Sequence, residues 1–268
     1  MGIKALLGDY PVTKHFKANS GLDFADVKLP QTAFKRVVRN LEFDVAELAI
    51  MTFLLAKAHG KPYRLLPAVL TARFQHPYLA TAKNLKPKDL EGKRVGQRSY
   101  SVTTATWVRG MLADDYGVDL SKVQWVTFEE PHVAEFMDPP NVQRAPEGKE
   151  IQAMLLSGEL DAAILGEVPK DERLKPVMPD IPAAIEAWKR KHGASVQINH
   201  MVAVKDTVSK GQAEEIYRGL VESRRIAGNP EMNPFGMEEN RRNLEAAIDC
   251  IHRQGMIPRR YAVEELFQ

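Results

Sequence analysis

The chain has 268 residues, 44% hydrophobic and 27% charged, enough material to close a core as one large domain or two smaller ones. Its 37 basic and 35 acidic residues leave a formal charge of +2, with no block of Lys and Arg anywhere along the chain. That balance excludes a nucleic-acid coat and a polybasic membrane anchor, since both need clustered cations.

Taken in chain order, residues 4–7 predict a strand, and the apolar run before Asp9 is too short for a secretory signal. The expected location is therefore cytoplasmic. A second strand is expected over 26–29, and the spacing of Phe34, Val37, Val38 and Leu41 then predicts a helix. The phrase Leu41-Glu-Phe-Asp44-Val-Ala46 enters a strand behind that helix, with Glu47 at its carboxyl end. Residues 63–68 read as a strand and lead to a polar cluster, Arg73-Phe-Gln-His76-Pro-Tyr78. A helical turn with a Gly stop precedes the strand at 94–96. From there a hydroxyl-rich turn runs to Thr104 and a helix through Trp107, Val108, Met111 and Leu112. A strand is expected at 124–127 and a polar, Pro-rich surface loop at 139–148. Gly158-Glu-Leu-Asp161-Ala-Ala163 then enters a strand over 162–165 and matches the earlier Asp44 phrase. That repetition suggests two similar lobes. Asn199 and His200 stand immediately before an apolar strand at 201–205, and 228–236 is a second loop. Leu244, Ala247, Ile248 and Ile251 mark a last helix. Cys250 lies in that pattern as a small buried hydrophobe; as the single cysteine it excludes an internal disulfide and a multi-cysteine metal site. No apolar stretch approaches the ~20 residues that span a bilayer. Alternating short strands and helices point to α/β layering.

The turn from Gly96 to Thr104 is the strongest local feature. Ser99, Ser101, Thr103 and Thr104 crowd the first turn of a helix, where backbone N–H groups lack partners and favour an anion, and Arg98 adds a fork for a carboxylate. The plainer reading makes one hydroxyl an ordinary N-cap and leaves the rest solvated. Arg73 and His76 could bind and protonate an anion, or sit on the surface. Histidine as a residue type titrates near neutral pH, which makes His200 a candidate for proton transfer. Glu47 stands where open α/β sheets bind ligands, with a salt bridge as the simpler alternative. The sequence lacks a Gly-x-Gly-x-x-Gly, a P-loop, a Gly-x-Ser-x-Gly elbow and a His-Glu-x-x-His, so it assigns no cofactor. No His or Glu grouping has metal-ligand spacing, and a metal stays unassigned.

Several blocks, in order along the chain, resemble the 4,5-dihydroxyphthalate decarboxylase family. They are Leu7-Gly-Asp-Tyr10, Glu42-Phe-Asp-Val-Ala-Glu47-Leu, Arg73-Phe, Leu90-Glu-Gly-Lys-Arg-Val-Gly96 and Thr106-Trp-Val-Arg-Gly-Met-Leu112. Further along come Leu155-Leu-Ser-Gly-Glu-Leu-Asp-Ala162, Asn199-His200, Gly236-Met-Glu-Glu-Asn-Arg241 and Ile257-Pro-Arg-Arg260. The stretch between Lys205 and Gly236 looks shorter than the family's, and 19–28 is less typical. The resemblance implies an α/β fold like type II periplasmic solute-binding proteins, with two lobes around a central cleft. Lobe 1 is expected over 1–82 with 200–268, and lobe 2 over 83–199.

It also implies a reaction: non-oxidative loss of CO2 from 4,5-dihydroxyphthalate to give protocatechuate, within aromatic catabolism and without a cofactor. The implied partner is a small aromatic carboxylate substrate, with no nucleic acid and no membrane; a homo-oligomer is left open. Such a site needs a cationic anchor, a base near a ring hydroxyl and an acid at the ring carbon. Arg98 with Ser101, Thr103 and Thr104 is expected to be the anchor, and Arg73 a second cation. His76 and His200 are the acid/base candidates, with Glu47 orienting one of them or deprotonating the catechol. Arg109 and Trp107 are expected to be structural. The rival readings are a non-catalytic binding protein for aromatic acids and another lyase on the same scaffold.

Overall fold

Short apolar strands alternate with amphipathic helices along the whole chain, and the computed structural model describes residues 2–268. The first segment runs β1 (Lys4–Leu6), α1 (Pro11–Asn19), β2 (Asp23–Phe24), α2 (Phe34–Asn40), β3 (Val45–Ala49), α3 (Ile50–Ala58) and β4 (Tyr63–Ala72). The middle segment holds β5 (Leu79–Thr81), β6 (Arg94–Gln97), α4 (Thr103–Tyr116), β7 (Gln124–Thr127) and β8 (Val142–Arg144). It continues through α5 (Ile151–Ser157), β9 (Ala162–Ile164), β10 (Lys175–Pro176) and α6 (Ile181–Lys191). The last segment adds β11 (Ile198–Lys205), α7 (Lys210–Ile226) and α8 (Met237–Arg253).

These elements form two compact units. The first comprises residues up to Arg73 together with Ser195–Gln268, and the second is Phe74–Ala194. Both boundaries fall earlier than the expected 82/83 and 199/200. Strand pairing explains the difference: β5 pairs with β9 and β10 in the second unit's sheet, whereas Ile198, at the start of β11, pairs with Ala72 of the first.

In the first unit the strand order is β2-β1-β3-β11-β4. β1 runs parallel to β2 and β3, while β11 is antiparallel to β3 and β4. Every residue of β3 is buried, the pattern of a strand covered on both faces. One face carries Ala5, Val45, Leu66, Val202 and Val204 against Val12 and Phe16 of α1 and Ile216 and Leu220 of α7. The stripe Leu244, Ala247, Ile248 and Ile251 of α8 is fully buried, and Cys250 is buried beside it.

The second unit orders its strands β10-β5-β9-β6-β7-β8, with β6 parallel to β7 and β9. Gly96 sits where α5 and the turn after it press on β6: a Cβ there would lie 2.5 Å from Leu160 Cδ1 and 3.2 Å from Ile151 Cγ1. Only the missing side chain permits that approach.

Two expectations change. No strand forms at 26–29; the chain pairs with β1 at 23–24 and then leaves the sheet for a 3-10 turn at Pro30–Ala33, with Leu29 exposed. Within the supposed loop 139–148, Val142–Arg144 instead pairs in parallel with β7 as an edge strand. Its polar composition hid it, because an edge strand needs little apolar surface.

The repeated phrases do the same work in both units. Leu41 and Gly158 end α2 and α5 in the left-handed conformation, at φ 51° and 82°. Asp44 N–H then donates to the Lys4 carbonyl and Asp161 N–H to that of Arg94, at 2.9 Å each. In return, the Asp44 carboxylate accepts the Lys4 N–H and the Asp161 carboxylate the Arg94 N–H, at 3.0 Å each. Each carboxylate also holds a lysine: Lys205 at 3.1 Å and Lys83 at 2.5 Å. In each unit the aspartate pins the start of a neighbouring parallel strand.

Candidate active site

Glu47 is fully buried in β3, and a buried carboxylate persists only where donors surround it. Three do. Gly8 N–H donates to Oε2 at 2.9 Å, the Tyr10 hydroxyl donates to Oε1 at 2.7 Å, and His200 Nδ1 lies 2.5 Å from the same Oε1. The short contact holds one proton between Nδ1 and Oε1, which leaves Nε2 as the ring nitrogen that Glu47 does not engage. The His200 side chain is 13% exposed, and its ring stands edge-on to Phe34 with centroids 5.2 Å apart. Asn199 Nδ2 is 3.5 Å from Nε2, at the limit of a hydrogen bond, and Asn199 Oδ1 is buried without a partner. Such an arrangement can move a proton, since an imidazole oriented by a carboxylate can take up or release one at its other nitrogen.

The Tyr10 hydroxyl is pushed well above its ordinary pKa, by burial first and then by the charge and hydrogen bond of Glu47. Tyr10, Val12, Leu70, Thr71 and Asn233 also line a cavity of about 370 Å³ in this unit. Arg73 follows β4, whose Thr71 stands opposite His200 across β11, and its N–H donates to the Gln197 carbonyl at 3.1 Å.

His200 is not ahead of its strand, as the sequence suggested, but inside it, with Ala49 on one side and Thr71 on the other. β11 begins at Ile198 because Ile198 and His200 find partners on β4 through an irregular register, which polar Asn199 gave no reason to expect. Sequence reasoning missed Tyr10, although the Gly8–Tyr10 spacing was available as a signal.

In the second unit, the carbonyl of Arg98 accepts the N–H groups of Phe128 and Glu129 at 3.0 and 2.7 Å, which fixes the turn after β6. Its side chain is 41% exposed, with Glu129 only loosely paired at 3.9 Å. Ser99, Ser101 and Thr103 are buried and Thr104 is half-buried. Val102 occupies the N-cap of α4 and makes no side-chain cap bond, so none of the hydroxyls stands at the ordinary cap position. Ser99 Oγ and Gln97 Nε2 are buried without partners. Fully buried Arg109 donates to Gln97 Oε1 at 2.7 Å and lies 3.7 Å from the centre of the Tyr100 ring. The partners these contacts give it are an amide and an aromatic face. Trp107 is core, edge-on to Trp188 at 6.1 Å.

His76 also belongs to the second unit, in the 3-10 turn His76–Tyr78. It is 1% exposed, with Nδ1 unpartnered and the Phe74 ring 6.4 Å away. Burial pushes its pKa down to about 4, with Asp115 opposing the shift. It is a neutral, enclosed imidazole at neutral pH, unlike the carboxylate-oriented His200.

Among the described residues, no group of three or more His, Cys, Asp or Glu is placed to hold a metal ion. Nor is any helix among them long and apolar enough to cross a membrane.

No family model matches the chain. It is 30% identical over 197 residues to 4,5-dihydroxyphthalate decarboxylase of Comamonas testosteroni, covering 68% of this chain and 59% of that protein. The enzyme of the same name from Pseudomonas putida is 34% identical over 146 residues, covering 50% of this chain and 57% of that one. The chain thus spans less than two thirds of the curated relatives it matches. Among solved structures, an Archaeoglobus fulgidus protein aligns with a TM-score of 0.55 at 18% identity, covering 98% of this chain and 84% of its own. The alkanesulfonate-binding protein SsuA of Xanthomonas axonopodis pv. citri gives 0.52 at 11%, covering 98% and 96%. The chain is thus similar in sequence to 4,5-dihydroxyphthalate decarboxylases, and its α/β fold is that of the solved periplasmic binding proteins.

Proposed function

We propose that the chain is a carboxy-lyase that removes one carboxylate from 4,5-dihydroxyphthalate, giving protocatechuate and CO2 in aromatic catabolism. The observation that carries this reading is the Glu47–His200 pair, which leaves Nε2 of a carboxylate-oriented imidazole free to exchange a proton. The two curated relatives of that name support the substrate.

The chemistry needs no redox step. A ring hydroxyl para to the departing carboxylate gives its proton to Nε2 of His200, and the resulting phenolate pushes electron density onto the carbon that bears the carboxylate. His200 delivers that proton to the carbon; the bond to the carboxylate then breaks, its electron pair restores the aromatic ring, and CO2 leaves. The ring carbon keeps the proton, His200 is neutral again, and one proton from solvent converts the phenolate to protocatechuate. Glu47 stabilises the imidazolium between these steps. In this proposal Arg73 is a cation of the first unit's site, and Arg98 with Ser101, Thr103 and Thr104 forms a carboxylate-binding turn.

The test is to incubate purified protein with 4,5-dihydroxyphthalate and follow CO2 and protocatechuate. Equimolar release of both is expected. Tight binding without CO2 overturns the reading in favour of a binding protein, and turnover without CO2 points to another reaction on the same scaffold. A cytoplasmic location completes the proposal, and cell fractionation tests it.

A further inference from the structure

Glu47 Oε1 receives two donors at once, the Tyr10 hydroxyl at 2.7 Å and His200 Nδ1 at 2.5 Å, while Oε2 receives Gly8 N–H. The phenol reaches Glu47 because Gly8 has no side chain. A Cβ there would stand 2.6 Å from Tyr10 Cε2 and Cζ and 2.7 Å from its oxygen. The three residues Gly8 to Tyr10 of the β1–α1 turn therefore supply both a backbone donor and a side-chain donor to the same carboxylate.

We propose that Tyr10 is the positioning residue of the proton-transfer pair: seated in the space Gly8 leaves open, its phenol holds Glu47 Oε1 aimed at His200. This deepens the proton-transfer reading of Glu47 and His200 and rests on it. The titratable groups facing the phenol are Glu47 from β3 and Asp9 beside it in the turn, the latter paired with Lys17 of α1. His200 joins from β11 through Glu47, Phe34 of α2 is uncharged, and β4 is followed by Arg73. None of these can replace the phenol as a neutral donor to Oε1. A phenol pushed upward by burial and by Glu47 keeps its proton through the neutral range.

Tyr10 acts through Glu47, so its signature is in the titration of His200 rather than in rate alone. The experiment follows the His200 imidazole nitrogens by long-range proton–nitrogen NMR across pH in the full, substrate-free chain. The signal is assigned by its loss in H200Q. In Tyr10→Phe, Glu47 loses a neutral donor and concentrates its charge on the imidazolium, so the His200 midpoint is expected to rise by about 1 pH unit. Gly8→Ala displaces the same phenol and should give a similar rise, and the double variant should add nothing further. An unchanged midpoint in a Tyr10→Phe chain with a native amide spectrum overturns the proposal, as does a double variant in which the two shifts add. The readout needs no turnover: a chain that shows the shift yet releases no CO2 keeps the positioning role and loses the reaction.

Discussion

His200 Nδ1 lies 2.5 Å from Glu47 Oε1, joining residues 153 positions apart in the chain. The antiparallel register of β3 and β11 explains the contact, since His200 is opposite Ala49 and Glu47 opposite Val202. Positions two apart on a strand share a face, so Glu47 and His200 are diagonal neighbours on one side of the sheet. A slip of one residue would turn one of the two side chains to the opposite face and abolish the pair.

His200→Gln preserves size and hydrogen bonding to Glu47 but cannot deliver a proton. We expect kcat for CO2 release to fall by about 10²–10⁴-fold with KM little changed, measured by steady-state kinetics. Glu47→Gln should lower both activity and stability, because the isosteric amide presents an N–H to one of three donors. Full activity in His200→Gln would remove His200 from the chemistry.

Arg98→Ala addresses the carboxylate-binding turn. The side chain is 41% exposed and only loosely paired, so its loss should leave the melting temperature nearly unchanged. Losing a charge-assisted hydrogen bond to a carboxylate should weaken substrate binding by about 10- to 100-fold, read by calorimetry. A change in melting temperature without a change in binding would assign Arg98 to structure.

His76 makes the protein sensitive to acid. Its folded pKa of about 4 lies below the ordinary 6.5, so between those values the unfolded chain binds the extra proton. Stability is therefore complete above pH 6.5 and declines as pH falls toward 4, by at most about 3 kcal/mol from this residue. Denaturant unfolding of the protein and of His76→Leu across that range checks this; the variant should have the flatter profile.

Asp44→Ala and Asp161→Ala each remove a carboxylate that accepts a strand's first N–H and a lysine. A loss of about 1–2 kcal/mol is expected in each case, visible as a lowered denaturant midpoint. The greater loss should come from Asp161, whose bond to Arg94 is partly buried while that of Asp44 to Lys4 is exposed.

The sequence by itself determined the kinds of element and much of the chemistry on offer. Apolar spacing marked the buried stripes of α2 and α8, and the Asp44 and Asp161 phrases marked the matching strand entries. These features are local, because a helix stripe or a turn is specified within one or two turns of chain. It also named Glu47 and His200, though with a salt bridge as the plain reading for one and a position before the strand for the other. Tertiary structure decided the rest. Whether His76 or His200 meets a carboxylate depends on the register of β3 against β11 and on burial within the second unit. Tyr10 joins Glu47 only through the close approach that Gly8 allows. Strand pairing likewise drew the boundaries at Arg73 and Ser195 and made an edge strand of the polar segment Val142–Arg144. Contacts of this kind join distant parts of the chain, and no periodicity within a single segment encodes them.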